Sequence, residues 1–316
     1  MIASTTVAVL IATKDRSEAL RLLLNRLLEQ TLRPAVVTIV DASGERESRA
    51  VEQFVETVRE NGLSVVLLRA ERPSMTGQRN QGVRHVQSHF PSIRFVQVFD
   101  DDVRPDVDHL ARSVAVFTEP GNEDVGGVTG VTSGGPIGQV RGPMRIYLKM
   151  FGLLPGRPGS LSRAGRSARY PEAPRPARAV AVEWVLGCSM FRTEVYSGES
   201  YWEPTASYVL YEDVDFSVRL RRRWRLVLLP DLVMEHDELS SSSPDYYQMG
   251  FQEVAHRHRV VSQLREAGSL AGYWWSVVGL LILLALRAAR RPRRDLRRLG
   301  GAIAGTWAAI SNPAYR

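Results

Sequence analysis

Along the first hundred residues the apolar positions switch period repeatedly, from continuous short runs to a helical i, i+3, i+4 spacing and back again. Runs at 6–12, 35–40, 64–68 and 94–99 predict buried strands. Between the first two, Leu20, Leu23, Leu24, Leu27 and Leu28 give a helix one apolar face, and Ser17 is placed to cap it. Val51, Phe54, Val55 and Val58 repeat the pattern for a second helix. Strands alternating with helices predict βαβ units and a largely parallel, Rossmann-like sheet whose strand ends carry ligand groups.

Farther on the pattern loosens. Residues 152–178 hold four Gly and five Pro with almost no apolar run, which predicts a mobile loop. A strand is expected at 179–186, leading into Gly187-Cys188-Ser189-Met190-Phe191, and a helix from about Glu212. Residues 245–267 are compatible with helix but show no clean stripe. An apolar segment follows at 272–286, and an arginine cluster at 287–298. The segment is shorter than the roughly 20 residues that span a bilayer. Trp274-Trp275 at one end and the arginines at the other match a monotopic anchor on an anionic surface. A buried core helix with a solvated basic tail is the competing expectation.

The 316 residues suffice for one large domain, or for a domain with an appendage. A single cysteine, Cys188, excludes an intrachain disulfide and a cysteine-based zinc site, which suits a reducing compartment. The first apolar run has no basic residue before it and passes straight into Thr13-Lys14-Asp15-Arg16, so it reads as a strand and not a secretory signal. The net charge of +7 is unevenly placed: residues 141–178 carry nine Lys or Arg against Glu172, and residues 287–298 carry seven Arg against Asp295, leaving −7 elsewhere. Nucleic-acid binders spread positive charge over a folded face with aromatic residues between. Here it sits in a loop and a tail, which argues against nucleic acid.

The fourth strand run ends on Asp100, Asp101 and Asp102. Carboxylates this dense repel one another unless a cation offsets them, and oxygen donors suit Mg2+ or Mn2+. On its own the triplet reads equally well as a solvated turn before Pro105. Four further patterns accompany it in order: Val9-Leu10-Ile11-Ala12-Thr13-Lys14-Asp15-Arg16, Thr38-Ile39-Val40-Asp41-Ala42-Ser43-Gly44, Gly77-Gln78-Arg79-Asn80-Gln81-Gly82 and Tyr211-Glu212-Asp213-Val214-Asp215. Together the five resemble the family-2 glycosyltransferases, whose catalytic domain has the GT-A fold, over about residues 5–240. Ala12 stands where that family usually has Pro, and Ala42 where a second acidic residue is common.

The resemblance implies an α/β, GT-A catalytic domain at 1–240, with a nucleotide-binding half (1–120) and an acceptor half (121–240) containing the basic loop. A helical, membrane-associating extension follows at 241–316. On the donor side it assigns Thr13, Asp15, Asp41, Arg79, Asn80, Asp100 and Asp101, with Asp102 and His236 as ligands of a divalent metal. A helix opening at Arg79-Asn80 suits a diphosphate, since free N–H groups and a guanidinium both favour anions. On the acceptor side are Trp184, Gly187 and Glu212, with Asp213 as general base; Trp184 is equally suited to core packing. Asp213 lies beside Glu212 and Asp215, like charges that raise its proton affinity, and at a helix N-terminus that lowers it.

The expected activity is inverting transfer of a sugar from a UDP- or dTDP-sugar, rhamnosyltransferase-like, to a hydroxyl of a glycan or lipid-linked acceptor in cell-surface polysaccharide synthesis. The expected location is cytoplasmic, peripheral or monotopic at the inner face of the cell membrane, through 272–298. Two rivals remain. A nucleotidyltransferase carries a Gly-rich basic loop after its first strand, and Thr13-Lys14-Asp15-Arg16 has no glycine. A non-catalytic sugar- or lipid-binding scaffold has little reason to keep both Asp102 and Asp213.

Overall fold

The computed structural model describes residues 6–133, 141–204, 209–236, 245–264 and 269–315. The chain divides into two compact units, the first comprising Met1–Gly135, Pro171–Val209 and Leu220–Ser240, the second Pro136–Tyr170, Leu210–Arg219 and Ser241–Arg316. The division does not run at residue 240. The described residues of 141–170 and 210–219 go with the C-terminal helices because they pair with them: Arg166 bonds Glu253, and Arg259 bonds Asp215.

In the first unit, the four expected strands form one residue later than the apolar runs indicate: β1 (Val7–Thr13), β2 (Val36–Asp41), β3 (Val65–Arg69) and β4 (Phe95–Asp100). They are joined by β5 (Val103–Pro105), β6 (Val125–Ser133), β7 (Val180–Val182), β8 (Ser189–Arg192) and β9 (Arg225–His236). The sheet order is β3-β2-β1-β4-β8-β6-β9-β5, with β7 also paired to β9. The pairings among β1–β4, and that of β6 with β9, are parallel; β8, β5 and β7 run antiparallel to their neighbours. The sheet is therefore mixed where the sequence suggested a largely parallel one. Among β1–β4 each connection is the crossover helix that parallel pairing needs, whereas β4 passes to β5 and β7 to β8 without one. The order 3-2-1-4 makes the carboxyl ends of β1 and β4 a topological switch point, where open sheets hold ligands.

Helices α1 (Ser17–Leu28), α2 (Glu45–Glu60), α3 (Met75–His89) and α4 (His109–Thr118) complete this unit. Leu20, Leu23, Leu24 and Leu27 of α1 are all buried in its core, each contributing about 1.5–3 kcal/mol by area removed from water. Ser17 does not cap α1; its hydroxyl and N–H instead bond Glu47 of α2 at 2.6 and 3.2 Å. Helix α3 lies close on the strands because residue 82 is glycine: a Cβ there would meet Leu10 Cδ1 at 2.1 Å.

The second unit contains α5 (Pro143–Met150), α6 (Glu212–Leu220), α7 (Tyr246–Leu264), α8 (Ser269–Ala288) and α9 (Pro292–Ser311). Helices α7 and α9 touch backbone to backbone through glycines, since a Cβ on Gly301 would stand 1.9 Å from the Tyr247 carbonyl oxygen and one on Gly250 2.0 Å from that of Arg298. The arginine cluster at 287–298 is thus not a loose tail: it turns the chain from α8 into the first turns of α9. Helix α8 runs the 20 residues that a span would need, and is buried on one face against Phe151, Val254 and Val261. Among the described residues of 152–178 regular structure is limited to one isolated bridge, Leu161 with Ser167, and within this unit the segment folds on itself through Gly159 N–H to Ala168 O at 2.9 Å.

Candidate active site

Register brings the first group of site residues together. Asp100 pairs with Ala12 across β1–β4, and Asp41 with Thr13 across β1–β2, so the three strand ends stop at one level. Beyond them Thr13 donates its hydroxyl to Asp101 at 2.7 Å. Arg16, next in the same turn, donates to Asp101 at 3.1 Å and to Asp102 at 2.8 Å. Burial pushes the Asp101 carboxyl up to about 6, helped by the charge of Asp102 and opposed by Thr13 and Arg16. Arg16 in turn is raised, because the two carboxylates outweigh the burial that works against its charge.

Asp100 is half-exposed and is held by Arg79, whose guanidinium is 1% exposed and lies 2.7 Å away. Burial alone would raise Asp100, but Arg79 and a contact with the Cys188 thiol hold it below the usual carboxylate range. The Tyr201 ring covers the other side of Arg79, 5.4 Å from the guanidinium carbon. His236 ends β9 opposite Val103 of β5, and this pairing sets its Nε2 3.6 Å from Asp102 Oδ1.

The loops after β1 and β2 are stitched together by short bonds. Asp15, in the left-handed region at φ 55°, donates its N–H to Ser43 Oγ at 2.7 Å and accepts from Gly44 N–H at 2.9 Å. Asp41 is 1% exposed and fully engaged, accepting from Ser43 N–H at 2.8 Å, Ser48 Oγ at 2.7 Å and Arg69 Nη1 at 2.8 Å. Gln78 donates to the carbonyls of Thr13 at 2.9 Å and Val40 at 2.7 Å, tying α3 to both strand ends.

Several assignments come out differently from the sequence reading. Arg79 faces Asp100 inside the fold and is not displayed at the helix N-terminus, because it lies on the second turn of α3, which Ser74 caps. Asn80 bonds the Tyr201 backbone at 2.8 and 2.9 Å and Glu203 at 2.7 Å, so its amide is committed to the 201–203 segment. Trp184 is 7% exposed, so most of its ring is buried in the fold. Gly187 lies in the turn before β8.

Glu212 and Asp213 belong to the second unit, where they open α6. Tyr211 immediately before them has φ 68°, an uncommon conformation for an aromatic residue. Asp213 accepts from the Val214 N–H at 2.7 Å, and its carbonyl accepts from Ser217 Oγ at 2.6 Å. Asp215 does not act on it as a bare like charge: Arg219 and Arg259 hold it at 3.1 and 2.9 Å.

Sequence reasoning overlooked Arg16, Gln78, Ser48 and Arg69. Arg16 alone left a trace, a cation in the motif after β1 where the acidic triplet needs one. Among the described residues no group of three or more His, Cys, Asp and Glu stands at metal-binding spacing. Asp102 and His236 nonetheless stand 3.6 Å apart, an oxygen and a nitrogen donor that could both face one divalent ion, a pair better suited to Mn2+ than to Mg2+, which prefers oxygen alone.

The sequence model of glycosyl transferase family 2 matches residues 8–163, which contain β1 to β4 and the acidic triplet. In fold the chain is similar to the mannosyltransferase PcManGT from Pyrobaculum calidifontis in complex with GDP-Man and Mn2+, at TM-score 0.54 and 17% identity over 97% of this chain and 87% of that one. It is also similar to S. aureus TarS 1-349 in complex with UDP-GlcNAc, at TM-score 0.53 and 15% identity over 96% and 91% of the two chains. A search of curated protein sequences found no match. With the family match over 8–163 and a GT-A-like fold around it, the chain belongs to glycosyl transferase family 2 and is a glycosyltransferase.

Proposed function

We propose that the enzyme transfers a sugar, with inversion, from a nucleoside-diphosphate sugar to a hydroxyl of a glycan or lipid-linked acceptor in cell-surface polysaccharide synthesis. The observation that carries the donor half is the triplet Asp100–Asp102 at the end of β4, compensated by Arg16 and Arg79 and approached by His236. The GT-A enzymes that the fold matches hold GDP-Man with Mn2+ and UDP-GlcNAc. UDP- and dTDP-sugars are the donors proposed here, with a deoxyhexose such as rhamnose as the sugar.

A divalent cation held by Asp102 and His236 would supply charge neutralisation of the leaving diphosphate. The protein's own groups do the rest. Arg16 is one-third exposed, so it can release Asp102 and turn its guanidinium to a donor phosphate. Arg79, fixed by Asp100 and Tyr201, keeps the Asp100 carboxylate ionised and aimed at the donor ribose. Thr13, Asp15 and Asp41 shape the nucleoside pocket through the stitched loops, and Asn80 acts by positioning 201–203. Asp213 takes the proton of the attacking hydroxyl as the new glycosidic bond forms.

An anionic membrane surface is the second partner, at the inner face of the cell membrane. Before Arg287 in its last turn, the exposed residues of α8 (Leu270, Ala271, Trp275, Val278, Ile282, Ala285 and Leu286) are all apolar, and further arginines follow to residue 298.

A thermal-shift screen of nucleotide-sugars with and without Mn2+ tests the donor reading, since a ligand that binds only the folded state raises Tm. At least one UDP- or dTDP-sugar is expected to raise it, more so with metal. No shift from any nucleotide-sugar under either condition would sink the reading.

A further inference from the structure

Arg257, on the inward side of α7, is 0% exposed, and its three guanidinium nitrogens have no hydrogen-bond partner among the described residues. A guanidinium does not shed its proton, so its charge and its donors call for an acceptor. Its natural partner is Glu253, one turn earlier on the same helix. That carboxylate is already taken, Oε1 by Arg166 at 3.1 Å and Oε2 by Arg298 at 2.5 Å. Three guanidinium groups therefore share one buried carboxylate. Burial would raise Glu253, yet the arginines hold it below its ordinary range.

The surroundings keep Arg257 in place without satisfying it. Its Cζ lies 5.1 Å from the centre of the Tyr273 ring, a favourable contact that accepts no N–H bond. Gly165, at φ 73°, lets its loop press on α7, where a Cβ would come 3.1 Å from Arg257 Cγ, and so delivers Arg166 to the cluster. Arg166, Tyr211 and Arg298 are the partly exposed members, so solvent meets the cluster at its edges while Arg257 stays buried. Tyr211 feels the charges of Arg257 and Arg166 as well as that of Asp213, and it directly precedes the Glu212-Asp213 pair. A buried excess of positive charge with unused donors is unfavourable by itself and becomes favourable when an anion supplies the missing acceptors.

We propose that Arg257, Arg166 and Tyr211 form an anion site that receives a phosphate or diphosphate group carried by the acceptor. The proposal rests on the reading of Asp213 as the base and deepens it: the acceptor is an anionic phosphate ester, its phosphate held near the residue that deprotonates its hydroxyl.

The test uses full-length protein, freed of divalent metal with EDTA and titrated with inorganic pyrophosphate by calorimetry. Saturable binding is expected, with Kd raised at least tenfold in R257Q and in R166Q and within twofold of wild type in D102N, which alters the donor cluster. No saturable binding overturns the proposal. So does wild-type affinity in both arginine variants, or loss confined to D102N. If R257Q fails to melt cooperatively, R166Q decides, because its side chain lies at the edge of the cluster. Phosphatidylglycerol vesicles form a second arm: if both arginine variants lose vesicle binding but keep pyrophosphate affinity, the arginines serve lipid headgroups and the acceptor assignment falls. Nucleotide-sugar binding with Mn2+ is measured on the same proteins and is expected to be equal in wild type and R257Q. Its absence from all of them would sink the donor reading while leaving the anion site standing.

Discussion

At the scale of single residues, the acidic triplet separates into three roles. Asp100 is clamped by buried Arg79, Asp101 is the member whose proton affinity rises, and Asp102 stands between Arg16 and His236. Arg16 is thus a cation already in place where a metal ion would otherwise have to balance two buried carboxylates. Replacing it (R16A) should lower metal-free stability by about 1–2 kcal/mol, less than for a fully buried pair because Arg16 reaches solvent. Mn2+ should then raise Tm more in the variant than in wild type; an equal rise would refute the exchange of Arg16 for metal. For Asp213, D213N should leave donor affinity within twofold and reduce transfer roughly a hundred- to ten-thousandfold, as loss of a general base does. Unchanged turnover would remove Asp213 from the mechanism. The sequence singled out the carboxylates because like charges in a row are conspicuous. It could not single out Gln78, whose value lies in reaching two carbonyls on different strands.

At the scale of elements, the second unit depends on close helix contacts and on one unusual helix. Gly301 meets the Tyr247 carbonyl so closely that G301A must separate α7 from α9, at a cost of about 1–3 kcal/mol in denaturant unfolding; an unchanged midpoint would contradict the packing. Helix α8 is apolar on both faces, one against Phe151 and Val254 and the other exposed. Its midpoint receives α5, where Tyr147 donates to the Gly279 carbonyl at 2.7 Å, and α5 carries exposed Arg145 and Lys149. A spanning α8 would carry those cations to the bilayer centre, so the proposed membrane contact is that of a helix lying in the interface plane. The triple variant V278N/I282N/L286N should therefore keep Tm within a few degrees and weaken binding to phosphatidylglycerol vesicles at low salt at least tenfold. Retained vesicle binding would return α8 to the role of a plain core helix.

At the scale of the whole molecule, two buried imidazoles set the response to acid. Burial lowers His109 to about 3 and His256 to about 4, both below the ordinary value near 6.5. Below that value the unfolded chain binds protons that the folded chain refuses, so stability is fully present above pH 6.5 and falls toward pH 4, by about 2–3 kcal/mol per histidine. Asp101 acts in the opposite sense between about pH 6 and 4. The difference between H109F and wild type isolates the imidazole: the variant should lose less Tm between pH 7 and 4.5, and parallel profiles would refute the assignment. Across the chain, local periodicity determined β1 to β4, α1 and α2, because burial of one face repeats every two or 3.6 residues whatever the partner. The order of the motifs identified the family for the same local reason, since each strand end and its turn are contiguous in sequence. Tertiary structure alone decided the antiparallel insertion of β8 between β4 and β6, the approach of His236 to Asp102 through the β5–β9 pairing, the burial of Trp184 and the commitment of Asn80 to residues 201–203. Each of these depends on residues far apart in sequence meeting in space, and no local pattern of apolar and polar positions records such a meeting.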